Sequence, residues 1–114
     1  MQLNLLVIRA KRPRALAGFY ERLGLVFQPE RHGEGPEHLA CEMKGCVFEI
    51  YPVTSRRPST EGLRIGFEVA DLDAACNAAL QADGILVEAP CDGAWGRRAV
   101  MRDPEGHLLD LVQR

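Results

Sequence analysis

An α+β architecture of two βαβββ modules is what this sequence predicts, and two observations carry the prediction. The first is an internal repeat. The stretch "LNLLVIRAKRPRALAGFYERLGLVF", beginning at Leu3, returns in outline as "LRIGFEVADLDAACNAALQADGILV", beginning at Leu63. Each opens with a short apolar strand, enters an alanine-rich helix, leaves it at a glycine (Gly24 or Gly84) and resumes as an apolar strand. The second is the match between "KGCVFEIYP" and "EGHLLDLVQ", where a glycine turn precedes apolar residues interrupted by one carboxylate. Glu49 and Asp110 occupy corresponding places. The polar stretch "TSRRPSTEG", with Pro58, reads as the connection between the halves. The expected organisation is one domain over residues 1–114, with module one at 1–53, a linker at 54–61 and module two at 62–114. A curved mixed sheet with helices on its outer face would then form a cup.

Within module one, Leu5 to Arg9 is apolar and partly β-branched, which suits a strand. Pro13 suits the first turn of a helix, where its missing N–H is no loss. Leu16, Phe19, Tyr20 and Leu23 recur at helical spacing and predict one buried face. Gly24 stops the helix. Strands are expected around Val26, over His38–Glu42 and over Cys46–Tyr51, the last two joined at Lys44-Gly45. In module two, Asp71 is a natural N-cap. Leu72, Cys76, Ala79 and Leu80 are expected on the inner stripe, and Asp83-Gly84 ends the helix. Strands follow over Ile85–Glu88, Arg98–Arg102 and His107–Val112, and Asp103-Pro104-Glu105-Gly106 has the chemistry of a tight turn.

Composition narrows the function classes. The chain has 114 residues, enough for one core. A net charge of −2 gives no field suited to nucleic acid. No apolar run approaches a membrane span, and "MQLNLLVIRAKR" lacks the layout of a signal peptide, so a cytoplasmic protein without membrane partners is expected. Cys41, Cys46, Cys76 and Cys91 form no C-x-x-C pair and are expected to be free thiols. Cys41 and Cys46 flank one turn and are the one pair that could face each other across it.

Four motifs, in this order and spacing, carry a family resemblance: "FYERLGLVF" (19–27), "FEIYP" (48–52), "GFEVADLDAA" (66–75) and "DPEGHLLDL" (103–111). Together they span nearly the whole chain. The chain resembles the vicinal oxygen chelate superfamily, which includes glyoxalase I, bleomycin-resistance proteins and extradiol dioxygenases. The resemblance implies paired βαβββ modules and a homodimer. It also implies, in metal-dependent members, four ligands on the first and last strands of each module. The matching positions here are Leu5, Glu49, Arg64 and Asp110. Leucine has no donor atom, and a guanidinium stays protonated and has no lone pair to offer. Only Glu49 and Asp110 remain, fewer than the three ligands a catalytic metal needs. No cofactor is therefore expected, and a divalent metal is disfavoured.

Strand alternation predicts which residues would line the cup. Arg64, Gly66 and Glu68 share one face of "RIGFEV", and Leu5, Val7 and Arg9 share one face of the first strand. Glu49 and Asp110 join them. Arg64 would then stand where a metal would stand, paired with Glu49 or Asp110, either as the anchor for a small anionic or vicinal-oxygen ligand or as part of a structural ion-pair network. His38 could serve as a surrogate ligand beside Glu49, or be an ordinary strand histidine. His107 is expected to be exposed and His32 to lie in a polar loop. Trp95, the single tryptophan, is flanked by Ala94 and Gly96 and reads as a lid or rim residue, or as plain packing.

The function expected on these grounds is binding of an unidentified small molecule in a metal-free cup. One alternative is a metal-dependent lyase, isomerase or dioxygenase with rearranged ligands recruiting His38. Another is a structural or regulatory dimer with a vestigial site.

Overall fold

The computed structural model describes residues 1–114, which form two compact units, Met1–Thr60 and Glu61–Arg114. Unit one contains β1 (Leu5–Ala10), α1 (Pro13–Arg22), β2 (Gln28–Glu30), β3 (His38–Met43) and β4 (Cys46–Pro52). Unit two contains β5 (Arg64–Glu68), α2 (Leu72–Gln81), β6 (Ile85–Gly93), β7 (Gly96–Arg102) and β8 (Leu108–Gln113). Each is a βαβββ module. The sheets run β1-β4-β3-β2 and β5-β8-β7-β6, with β1/β4 and β5/β8 parallel and the other pairs antiparallel. Neither helix is long and apolar enough to cross a membrane.

In unit one, Pro13 opens α1 and its apolar stripe lands on the sheet. Leu16, Ala17, Phe19 and Tyr20 are buried, and Tyr20 packs edge-to-face on Phe48 at 5.3 Å between ring centroids. Phe27 also meets Phe48, at 5.8 Å between centroids. Ile8 and Ile50 complete this core. The helix ends as expected: Gly24 has φ 106, and the Leu25 N–H donates back to the Tyr20 carbonyl. The polar 54–60 segment folds onto its own unit, where Thr60 Oγ1 accepts from the Arg9 N–H at 2.9 Å.

In unit two, the Asp71 carboxylate accepts from the Ala74 N–H at 3.1 Å, the N-cap read from the sequence. The Leu72 N–H is also satisfied, by Gln113 Oε1 at 2.7 Å. Leu72, Cys76 and Ala79 are buried against the sheet.

Several expectations need correction. The strand placed around Val26 begins two residues later at Gln28, and Val26 is 66% exposed. Leu80 leaves the inner stripe and is 47% exposed, because the apolar arc of α2 is covered only from Leu72 to Ala79. Asp83-Gly84 does end α2, although the left-handed residue of the pair is Asp83, φ 70; a short polar side chain tolerates this region. β6 runs on to Gly93, with register irregularities on either side of Glu88. These irregularities and its edge position accommodate Pro90. Cys41 opposes Phe48 and Cys46 opposes Met43, so the two thiols are not direct partners, and all four cysteines are free.

The largest correction concerns His107, which is fully buried rather than exposed. Its Nδ1 lies 2.8 Å from Asp103 Oδ2. Asp103 Oδ1 also accepts the backbone N–H groups of Glu105 at 2.9 Å and His107 at 3.0 Å. The turn is polar in sequence, but its polar groups point inward and satisfy one another.

Candidate functional site

Each sheet has one face covered by its helix and one face free of it. In unit one the register puts Leu5, Val7 and Arg9 of β1 on the helix-free face with Val47, Glu49 and Tyr51 of β4. His38 of β3 and Glu30 of β2 share it, as a direct cross-strand pair. In unit two the corresponding face carries Arg64, Gly66 and Glu68 of β5, Asp110 and Val112 of β8, and Arg98 of β7.

The expectation that Arg64 pairs with Glu49 or Asp110 resolves to Asp110. Arg64 Nε donates to Asp110 Oδ2 and its Nη2 donates to Oδ1 at 3.0 Å. A second arginine, absent from the motif-based set, joins them: Arg98 Nε donates to Oδ1 at 2.9 Å. One carboxylate thus holds two guanidiniums, and the group carries a net positive charge. Hydrogen bonds from Arg64, and then from Arg98, hold the Asp110 carboxyl below its ordinary value of 3.8, against an opposing push from desolvation.

That shift has a sign. The folded carboxyl releases its proton at lower pH than the unfolded one, so its stabilisation is complete above pH 3.8 and is lost as pH falls through the lower folded value. Carboxyl NMR should place the Asp110 midpoint below 3.8, and Asp110→Asn should remove this component from the acid-unfolding profile. A midpoint at or above the ordinary value would contradict the triad.

Beside the triad lies a cavity of about 480 Å³, lined by Gly66, Phe67, Glu68, Trp95, Arg98, Asp110, Val112 and Arg114. Gly66 makes room for it: a Cβ there would meet nothing nearer than Asp110 at 4.0 Å. Trp95 sits in the two-residue turn between β6 and β7 and is 79% exposed. Glu68 pairs with Arg114 at 3.2 Å.

Glu49 has different company in unit one. Its Oε2 lies 3.4 Å from His38 Nε2, and Glu30 Oε1 lies 3.3 Å from the same nitrogen. His38 is buried and stacks flat on Tyr51 at 4.1 Å. Arg9 covers Tyr51 at 5.0 Å and donates to the Pro52 carbonyl at 3.0 Å. Burial, and then the Glu49 carboxylate, raise the Tyr51 phenol above its ordinary value. Glu30 and Tyr51 are absent from the sequence-predicted set. Glu30 escapes it because β2 begins later than the apolar pattern suggests, and the antiparallel pairing of β2 to β3 is what sets Glu30 beside His38.

A family model described as a glyoxalase-like domain matches residues 5–112. The chain belongs to this glyoxalase-like family, within the glyoxalase/bleomycin resistance/dioxygenase superfamily. No curated protein matches the sequence. Among solved structures, the glyoxalase-like chain is similar to TnmS3, an antibiotic binding protein from Streptomyces sp. CB03234. The identity is 21% and the TM-score 0.79, over 99% of this chain and 95% of that one. It is also similar to oxidase ChaP-H2, at 24% identity and TM-score 0.80, over 100% of this chain and 94% of that one. A third is a glyoxalase/bleomycin resistance protein/dioxygenase family enzyme from Burkholderia phytofirmans PsJN, at 18% identity and TM-score 0.76, over 99% and 98%. At these identities the likeness concerns the fold.

The residues at the superfamily's ligand positions do not fit a metal. Leu5 brings no donor atom, Arg64 brings a cation, and both Asp110 oxygens accept from guanidiniums. Glu49 is the one carboxylate there that no guanidinium holds, and one carboxylate cannot hold a chelating ion in place.

Proposed function

We propose that this glyoxalase-like protein binds a planar small molecule of antibiotic type, without a metal, on the helix-free face of unit two. The observation that carries the reading is the cavity lined by exposed Trp95, Gly66, and Arg98 and Asp110 of the triad, whose third member, Arg64, is bound to Asp110. An indole offers an aromatic ring a stacking surface. Each guanidinium has five N–H donors, and only part of that set serves Asp110, so the triad's excess positive charge suits a ligand edge with adjacent oxygens or an anionic group. The similarity to an antibiotic binding protein supports the same class of ligand.

The single tryptophan makes the test direct, since all indole fluorescence reports Trp95. Titration with planar aromatic antibiotics bearing neighbouring hydroxyl or carbonyl oxygens should quench that fluorescence saturably and raise the melting temperature. Trp95→Ala should weaken binding, read by calorimetry, by about tenfold, the scale of one aromatic pair. Gly66→Leu should fill the cavity and abolish binding while leaving the fold intact. Unchanged affinity in Gly66→Leu would sink the reading.

A further inference from the structure

We infer that unit one holds a binding site for a divalent transition-metal cation, formed by Glu30, His32, His38 and Glu49 and separate from the superfamily's set of ligand positions, with which it shares Glu49 alone. One ligand atom from each of the four lies within 4.8 Å of the others. Two observations turn this proximity into a site.

The first is the environment of His38. Its Nδ1 lies 3.4 Å from the Pro36 carbonyl oxygen, and its Nε2 lies 3.3 Å from Glu30 Oε1 and 3.4 Å from Glu49 Oε2. All three neighbours are acceptors. A neutral imidazole carries one N–H, so one ring nitrogen would aim its lone pair at oxygen. A cation at Nε2, with the ring proton on Nδ1 directed to Pro36, removes the conflict and is the usual arrangement of a metal-bound histidine. A cation there also balances the two carboxylates, Glu30 and Glu49, that converge on the same nitrogen.

The second observation is metric. Four ligands about 2.0–2.1 Å from a tetrahedral ion stand about 3.3 Å from one another. Glu30–His38 and His38–Glu49 have this edge length, and His32–Glu30 is close at 3.7 Å. The strands hold three of the four: β2 pairs with β3, which pairs with β4, and His38 is clamped flat on Tyr51, while His32 joins from the loop that follows β2. Two imidazoles and two carboxylates suit zinc or cobalt(II) better than magnesium or calcium, which prefer all-oxygen shells.

The test is titration of chelator-treated full-length protein with Co(II), then Zn(II). One Co(II) per chain should bind, with the strong visible absorption of a four-coordinate ion, and one equivalent of Zn(II) should displace it. Because the buried His38 is a poor site for substitution, the deciding variants are Glu30→Gln and His32→Gln, whose side chains are largely or partly exposed. Each should weaken Zn(II) binding by about tenfold or more, at least as much as loss of a supporting contact costs at a metal site. Cys91→Ser, which removes the exposed thiol, should leave binding unchanged. Absence of stoichiometric binding at micromolar Zn(II), binding insensitive to both deciding variants, or binding lost in Cys91→Ser would each overturn the site.

Discussion

Asp103→Ala should destabilise the fold by about 3–5 kcal/mol, a cost typical of breaking a buried, charge-assisted hydrogen-bond network. The carboxylate is buried and accepts from two backbone N–H groups and the His107 ring. Alanine supplies no acceptor, and water cannot replace it, since His107 is itself fully buried. Against a total stability of about 5–15 kcal/mol, such a loss is a large fraction. Asp103→Asn keeps a carbonyl oxygen for the backbone donors and should cost markedly less. Urea unfolding of the three proteins checks the order; an alanine variant as stable as the asparagine variant would contradict the network.

Gly96→Ala should be damaging by a different route. Gly96 has φ 120, outside the range L-residues ordinarily adopt. A Cβ there would lie 2.4 Å from the Gln113 carbonyl oxygen and 3.3 Å from the Arg114 Cα, both backbone atoms of the adjoining strand end. Backbone cannot rotate away as a side chain can, so β8 must shift or part from β7. The combined strain should cost about 3 kcal/mol or more, above the usual range for an unfavourable dihedral alone. Gly96 also follows Trp95 directly, so the variant should lose ligand binding along with stability. Gly93→Ala is the matched control: its Cβ would meet only Gly96 O, at 3.7 Å, and a small change is expected. Thermal unfolding of the pair separates clash from the general cost of replacing a glycine.

These effects show where local reading succeeds. The helix stripe around Tyr20 and the Asp71 cap are legible because each depends on residues within one or two turns of chain, and the repeat is legible because such local patterns recur in the same order. The sharing of one face by Leu5, Val7 and Arg9, and of another by Arg64, Gly66 and Glu68, follows from strand period two. The burial of His107 is not legible, because a polar Asp-Pro-Glu-Gly turn ordinarily faces water, whereas here Asp103 folds back under it. The place of Arg98 in the triad depends on how β7 registers on β8, and periodicity carries no register between strands.

The same distinction governs the two carboxylates first singled out. Local chemistry is enough to say that Glu49 and Asp110 are twins in a duplicated module, that their strands alternate, and that neither Leu3–Arg9 nor Leu63–Val69 contains a histidine. It does not say what each carboxylate meets. Asp110 takes Arg64 from 46 residues away and Arg98 from 12 away, while Glu49 takes His38 across the β3–β4 ladder. Those partnerships are set by long-range backbone pairing and by packing of the opposite sheet face on its helix, so the twins acquire opposite neighbours: cations for Asp110, imidazole and a second carboxylate for Glu49.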